Sequence, residues 1–429
     1  MAKNINLILK EVLEEVKPSE EEAREIEKAV KSHLEKVEAR IRKRKINAQV
    51  FIGGSAAKRT MIKKDGYDID VFIRFDKRYK NELLSDLTEK ILEGLKKERV
   101  HGSRDYFKAK ISENLSLEFV PVKKISNPRE AENITDLSYS HVNYIRKKVK
   151  SEKLLNEIRL AKAFCYANGA YGAESYVQGF SGYGLELLIA HYGSFLKFIK
   201  TIAKMKVKDN NKIIIDIEKH HKNKSHVLLD INAAKLQSPI ILVDPTYKQR
   251  NVLAALSEET LREFQKACKN FLRKPSVDFF AQKIINIEKL KADADSRSYE
   301  FILLGLKTDK QAGDIAGSKL LKFYNHLNSE LEKFFEIKAR GFEYGKGQTA
   351  RVFFVAEAKK EIIVTGPLVT QEKHTKMFRN MHNNISVKNG RLYSKFKPKF
   401  TLETFVRGWV AKNRRKMIEM GVTNFGILG

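Results

Sequence analysis

Two periodicities run through the chain and mark out its elements. Apolar residues at helical spacing predict an amphipathic helix from about Asn4 to Val16. Ser19 after Pro18, with Glu22 three residues on, predicts a capping-box start to a second, highly charged helix that runs to about Arg44. Strands are expected at Ala48–Ile52, Asp68–Phe75, Tyr106–Ile111 and Leu115–Val122, the last two joined by a Ser112-Glu113-Asn114 turn. Between the second and third strands, Leu83, Leu84, Leu87, Ile91 and Leu95 predict a helix over about 81–97. From Ser151 the texture turns helical: Leu154, Leu155, Ile158, Ala161 and Cys165 form one stripe, closed by Asn168-Gly169. A Gly-, Tyr- and Ser-rich loop over 170–183 leads to a helix from Leu185 to about Met205, apolar almost all round.

Residues 209–225 are polar and basic, and His220-His221 there reads as a surface pair with no further ligand nearby to make a metal site. A strand at Ile240–Asp244 and a capped helix from Ser257 to Leu272 follow. Beyond Lys274-Pro275 the pattern becomes α+β, with strands at Tyr299–Leu306, Arg351–Ala356 and Lys360–Thr365 and helices at about Ser318–Glu336 and Phe400–Met420. Ile385–Lys388 and Arg391–Lys395 flank Asn389-Gly390, the signature of a type I′ hairpin. No internal repeat or long linker interrupts the 429 residues, which are enough for two or three domains.

Chemistry concentrates between Gly53 and Arg74. A Gly53-Gly54-Ser55 turn, with Lys58 and Arg59 just after it, precedes a strand carrying Asp68 and Asp70. Residues two apart on a strand point the same way, so the two carboxylates project together while Ile69, Val71 and Ile73 face the core. Like charges that close call for a cation, and an oxygen donor set suits Mg²⁺. Taken alone, the pair reads equally as a solvated strand face. The Gly-rich turn favours the metal, because its backbone N–H groups form an anion cradle. Glu118, on the polar face of a later strand with Ser116, supplies a third carboxylate. Three such groups beside a phosphate cradle fit phosphoryl or nucleotidyl transfer by two metal ions about 3.5–4 Å apart.

Composition extends this reading. Lys plus Arg total 82 against 53 Asp plus Glu, a net charge of +29 spread over the whole chain, which favours polyanions such as nucleic acid. Cys165 and Cys268 lie in apolar helical patterns and read as core thiols of a reducing compartment. No segment reaches membrane-spanning length, so a soluble, cytoplasmic protein without membrane contact is expected.

Gly54-Ser55, Asp68-x-Asp70 and the later strand carboxylate resemble the nucleotidyltransferase signature of the DNA polymerase β superfamily. More specific are Ile158-Arg-Leu-Ala-Lys162, the run from Ala167 to Glu174, Gly179-Phe-Ser-Gly-Tyr183, Glu186-Leu-Leu, Tyr192-Gly-Ser-Phe195, Asp244-Pro245 and Arg250-Asn-Val252. Together these resemble the archaeal-type, class I CCA-adding enzymes, over about residues 5–290 and weakly beyond. The resemblance implies a multidomain α+β fold: a polymerase-β-like catalytic head over 1–147, a helical middle domain over 148–275 and an α+β C-terminal RNA-binding region over 276–429. It implies addition of C, C and A to the tRNA 3′ end from CTP and ATP. Asp68, Asp70 and Glu118 would carry the metals. Gly54, Ser55 and Lys58 would face the triphosphate, and His141, Lys162 and Tyr171 the triphosphate and ribose, with Ser138 a weaker candidate. Arg250 would help read the base. The tRNA acceptor arm is the expected partner, with a homodimer left open.

Two departures from the family pattern stand out. Glu118 stands where Asp is usual, and Lys58-Arg59 where Arg-Asn is usual. Glu is one methylene longer than Asp, and Lys lacks the bidentate fork of Arg. A poly(A)- or oligoadenylate-forming transferase, or a tRNA-binding protein weakened in catalysis, therefore stands as the alternative.

Overall fold

The Ser19 hydroxyl accepts the Glu22 N–H at 3.1 Å and the Glu22 carboxylate accepts the Ser19 N–H at 3.4 Å, so the expected capping box forms. In the computed structural model, which describes residues 5–206, 212–282, 285–345 and 347–428, this helix (α2, Glu20–Lys43) follows a shorter one (α1, Ile5–Val16). Asn4 and residues 209–211, included in the sequence expectations, lie outside the described residues. The chain divides into two units, Met1–Lys283 and Ile284–Gly429.

The first unit contains a five-stranded sheet of β1 (Ala48–Ile52), β2 (Tyr67–Phe75), β3 (Lys97–Val100), β4 (Tyr106–Ser112) and β5 (Leu115–Lys123), ordered β1-β2-β5-β4-β3. β2 and β5 run parallel and the other pairs antiparallel. A one-turn helix, α3 (Gly54–Ala57), follows β1, and α4 (Leu84–Ile91) follows β2. Ile26, Val30, Val37 and Ile41 of α2, with Leu84 and Ile91 of α4, pack on Ile69, Val71, Ile73, Phe107, Leu117 and Phe119. Because strand side chains alternate, burying this face leaves Asp68, Asp70, Lys108 and Glu118 on the opposite one. The predicted helix over 81–97 stops at Ile91. Gly94 then turns the chain at φ +77°, and a short, mostly polar edge strand, β3, takes its place.

A buried ion pair fastens the sheet to the segment leaving it. Arg104 Nη1 donates to Asp136 Oδ1 at 2.6 Å and to the Pro121 carbonyl at 3.0 Å. The same carboxylate accepts the backbone N–H groups of Lys123, Glu132 and Asn133 at 2.8, 3.1 and 3.0 Å. The chain then enters α5 (Ser138–Lys148), which the hydrophobic pattern does not announce, and α6 (Glu152–Ala167).

α7 (Gly182–Tyr192) and α8 (Phe195–Lys204) replace the single helix expected over 185–205. Gly193 takes a left-handed cap at φ +78° and Ser194 caps the next helix through the Lys197 N–H, which breaks the run. Strands β6 (Ile213–Ile215), β7 (Ile240–Asp244) and β8 (Tyr247–Asn251) form a small sheet in that order, with α9 (Lys224–Asp230) between β6 and β7 in sequence. α10 (Glu258–Arg273) joins α1, α6, α7 and α8 around Phe164, Phe180, Phe195, Phe198, Phe264 and Phe271. Each such ring removed from water contributes roughly 1.5–3 kcal/mol. Ile8, Leu9 and Val12 of α1 belong to this helical core, as do Cys165 and Cys268, both free thiols.

In the second unit, β9 (Glu300–Lys307), β10 (Phe335–Tyr344), β11 (Thr349–Ala358) and β15 (Asn424–Ile427) form a sheet ordered β10-β11-β9-β15. α12 (Asp314–Leu331) and α14 (Leu402–Lys412) cover one face and α11 (Ile287–Ser296) the other. α12 ends before the predicted Glu336, because Phe335 opens the unanticipated strand β10. The helix expected over 400–420 breaks at Asn413 into α14 and α15 (Arg414–Glu419). A second sheet holds β12 (Ile362–Leu368), β13 (Ile385–Lys388) and β14 (Arg391–Phe396), beside α13 (Glu372–Met381). Its Asn389-Gly390 turn has φ of 50° and 69°, the two positive values a type I′ hairpin needs.

Removing either partner of the Arg104–Asp136 pair leaves a buried charge unpaired, so Arg104→Leu and Asp136→Asn should each lower unfolding free energy by about 3–5 kcal/mol. The denaturant midpoint followed by circular dichroism checks this, and the double variant should lose less than the sum of the two.

Candidate active site

The register of β2 and β5 sets Asp70 opposite Glu118 and Asp68 opposite Ser116. On the other side of β5, Lys108 of β4 stands opposite Glu118. Lys108 Nζ donates to Asp68 Oδ1 at 2.6 Å and to Glu118 Oε1 at 3.4 Å. Burial raises the pKa of Asp70, and the neighbouring Asp68 raises it further against the pull of Lys58. Burial likewise raises Glu118, with Lys108 opposing and Asp68 and Asp70 adding to the rise. As the side chains stand, no three His, Cys, Asp or Glu groups among the described residues are gathered to hold a metal ion. The three carboxylates are nevertheless neighbours in register, all oxygen donors, and in part uncompensated in charge. That chemistry fits a hard dication.

Gly54 lies against this cluster. Its φ of +54° is in the left-handed region, and a Cβ there would come within 1.7 Å of Asp70 Oδ2, so any larger residue would displace the carboxylate. The Gly53 N–H donates to the Asp70 carbonyl at 2.8 Å, and the Ser55 carbonyl accepts the Thr60 N–H at 2.9 Å, which fixes both ends of the turn.

The stretch after the turn is tied to α6 and α7 through Glu186, which has no exposed surface. Lys58 Nζ meets Glu186 Oε2 at 2.6 Å, and Lys162 Nζ meets Glu186 Oε1 at 2.8 Å. The Thr60 hydroxyl donates to Glu186 Oε1 at 2.6 Å and accepts from Lys162 at 2.8 Å. Burial alone would push the Glu186 pKa up, but the two lysines outweigh it and hold the group at about 2. Arg159, one helical turn from Lys162, donates to the carbonyls of Arg59 and Met61 at 2.8 and 3.3 Å.

A second buried carboxylate, Asp244, gathers the remaining candidates. His141 Nε2 lies 2.9 Å from Asp244 Oδ2, and Arg250 Nη1 donates to the same oxygen at 2.7 Å. Tyr183 donates its hydroxyl to Asp244 Oδ1 at 3.2 Å, and Thr246 donates its N–H and hydroxyl there at 2.8 Å each. Burial would raise the Asp244 pKa, but His141 and Arg250 hold it well below the carboxylate range. Burial pushes the His141 imidazole down, while Asp244 pulls it up. The His141 ring stacks on Tyr183 at 4.1 Å between centroids, and Lys58 approaches the same tyrosine at 5.8 Å, so the two carboxylate centres adjoin.

The nominated residues thus fall into three linked groups: Asp68, Asp70, Glu118 and Gly54; Lys58 and Lys162; His141 and Arg250. Tyr171 has its hydroxyl beside Gly182, the first residue of the helix carrying Glu186, and burial raises its pKa. Ser138 opens α5 three residues before His141. Lys162 is buried, 2% exposed, between Thr60 and Glu186. His220 and His221 are not a surface pair, because the His221 side chain is buried between Asp216 and Asp230, at 3.0 and 3.1 Å. Lys108, Thr60, Tyr183, Glu186 and Asp244 are the groups that motif reasoning left without a role. Signals existed: Glu186 interrupts an apolar helix and Asp244 ends an all-apolar strand, positions where a lone carboxylate must be buried with partners.

Known proteins resemble this chain in both sequence and fold. The family described as the second domain of tRNA nucleotidyltransferase matches residues 156–281. The chain is 42% identical to the CCA-adding enzyme of Nanoarchaeum equitans over 210 residues, 48% of this chain and 51% of that protein. It is 28% identical to the CCA-adding enzyme of Methanocaldococcus jannaschii over 405 residues, 91% of this chain and 87% of that protein. With the CCA-adding enzyme of Saccharolobus solfataricus it shares 31% identity over 334 residues, 76% and 73% of the two chains. A mutant of Cid1 poly(U) polymerase bound to MgATP shares the fold, with a TM-score of 0.51 at 14% identity over 66% of this chain and 99% of that one. Identity at this level, carried through most of both chains in the Saccharolobus comparison, makes this protein a member of the CCA-adding enzyme family of nucleotidyltransferases.

Proposed function

We propose that the chain adds C, C and A to the 3′ end of tRNA from CTP and ATP, releasing pyrophosphate, with Mg²⁺ held by Asp68, Asp70 and Glu118. The observation that carries this is the in-register pairing of Asp70 with Glu118 on parallel strands, directly against the Gly54 turn. When bound, a divalent pair would supply a lowered pKa at the attacking 3′-hydroxyl and charge neutralisation at the leaving pyrophosphate.

The chain's own residues do the positioning. Gly54 and Ser55 give the triphosphate a backbone cradle beside the carboxylates. Lys58 and Lys162 share one carboxylate, Glu186, so this buried group keeps a net positive charge fixed next to Asp70. Fixed charge costs no reorganisation as charge develops on the phosphates. Tyr171 and His141, with Ser138 nearby, face the triphosphate and ribose. Asp244 anchors the Arg250 guanidinium, so that the incoming base meets a held donor fork.

In this reading residues 1–147 form the catalytic domain, 148–275 the nucleotide- and tRNA-binding middle domain, and 276–429 a region gripping the acceptor arm. No described helix is long and apolar enough to cross a membrane, and a cytoplasmic site of action fits the two free thiols. Duplex RNA offers shape, phosphates and 2′-hydroxyls rather than readable major-groove edges, and a net charge of +29 suits the phosphates.

Incubation with tRNA lacking its last three residues, Mg²⁺ and each labelled NTP should give two C additions, one A addition and then a stop; long A tracts would instead indicate a poly(A)-type transferase. Asp70→Asn should cut nucleotide addition by about a thousandfold or more, the scale of several kcal/mol of metal-based stabilisation. Its tRNA affinity, measured by filter binding, should remain close to that of the parent. A third outcome concerns pH. The folded-state pKa of Glu186 lies below its ordinary value, so its ionised contribution is complete above about pH 4.5 and drains as pH falls toward about 2. The stability gap between the parent and Glu186→Gln, read from urea unfolding, should accordingly be widest near neutrality and shrink in that acid window.

A further inference from the structure

The ammonium of Lys108 lies on the same face as the catalytic carboxylates and meets two of the three, Asp68 at 2.6 Å and Glu118 at 3.4 Å. These oxygens, Asp68 Oδ1 and Glu118 Oε1, are ones a divalent ion would need. The placement is built by the sheet. Cross-strand register sets Lys108 opposite Glu118, while the flanking Phe107 and Ala109 are buried on the other face and pin the strand. Lys110, two residues along on the same face, stands opposite the uncharged Ser116 instead. The Lys108 side chain is 38% exposed, so its flexible stem has an open route away from the carboxylates.

We infer that Lys108 is a resident counter-cation of the carboxylate site, competing with the divalent ion for Asp68 and Glu118 and yielding to it on binding. This rests on the reading that these carboxylates hold metal. A tethered ammonium balances only one unit of charge, whereas a dication balances two, so the metal wins at sufficient concentration but binds more weakly than it would to bare carboxylates. The consequence is a free enzyme that holds its metal loosely and fills the site when the ion comes with a nucleoside triphosphate. The longer Glu118 belongs to the same device, since it stands in register with Asp70 on one side and its carboxylate accepts from the lysine of the next strand on the other. Lys108 is thus a positioning residue for the ligand set.

The test is Mn²⁺ binding to the full-length protein without nucleotide, read from the electron paramagnetic resonance of free Mn²⁺. Lys108→Met should bind roughly three- to tenfold more tightly than the parent, the scale of one or two partly exposed ion pairs removed. Lys108→Arg should stay near the parent, and Lys110→Met, which removes the same charge two residues away, should change affinity by less than about twofold. Without metal, Lys108→Met should also melt at a lower temperature than the parent, a deficit that added Mg²⁺ closes. If Lys108→Met does not fold, Lys108→Gln replaces it in the same titration. Mn²⁺ affinity that is unchanged or weaker in the Met or Gln variant, or a gain shared by Lys108→Arg or Lys110→Met, overturns the proposal. The parent and Asp70→Asn are titrated alongside. If the parent shows no Mn²⁺ binding that Asp70→Asn removes, the metal reading falls and takes this proposal with it; if that binding is present, the Lys108 result stands alone.

Discussion

A carboxylate with no exposed surface must be balanced, and Glu186 is balanced by lysines from two separate parts of the chain. Lys58 arrives from the stretch after the Gly-Gly-Ser turn and Lys162 from α6. That one requirement fixes the turn relative to the helices. Thr60 and Arg159 reinforce the attachment, Thr60 by bonding both charged groups and Arg159 by taking two carbonyls of the same stretch. Since the turn lies against Asp70, the position of the carboxylate face depends on a charge balance formed more than a hundred residues later in the chain.

Asp244 repeats the arrangement. It is buried, kept ionised by His141 and Arg250, and closed by Tyr183 and Thr246. Around both centres the lysine and arginine side chains are held by carboxylates that are themselves inaccessible, which fixes their geometry. The face formed by Asp68, Asp70 and Glu118 is the reverse case, with negative groups gathered in excess of their cations. Under the proposed function a polyphosphate with its metal would complete both halves at once, phosphate going to the fixed cations and metal to the carboxylates.

Much of this was legible in the sequence where local patterns decide. The capping box at Ser19, the alternation that puts Asp68 and Asp70 on one face, and the Asn389-Gly390 hairpin each follow from contacts within a few residues. Elements decided by long-range pairing were not legible. β3 is too short and polar to carry a period, and β10 begins where a helical pattern still runs, because its partner β11 supplies the reason to be a strand. The same division holds in the site. The residues proposed to face the nucleotide lie in recognisable motifs, whereas the contacts of Lys108 exist only once β4 pairs with β5, and His221 becomes interior only when Asp216 and Asp230 close around it.

Stability alone does not explain why buried charge recurs here. Apolar groups of the same volume would often hold helices together as well as a buried ion pair or better, since desolvating the charges cancels much of their attraction. An apolar replacement for Lys58, Glu186 and Lys162 would still pack α6 on α7, but it would place no positive charge beside Asp70. Replacing His141, Asp244 and Arg250 would likewise leave the hairpin of β7 and β8 in place without a fixed guanidinium. What these groups supply is positioned charge, and under the proposed function their desolvation is offset by cations that need not move to meet a polyphosphate.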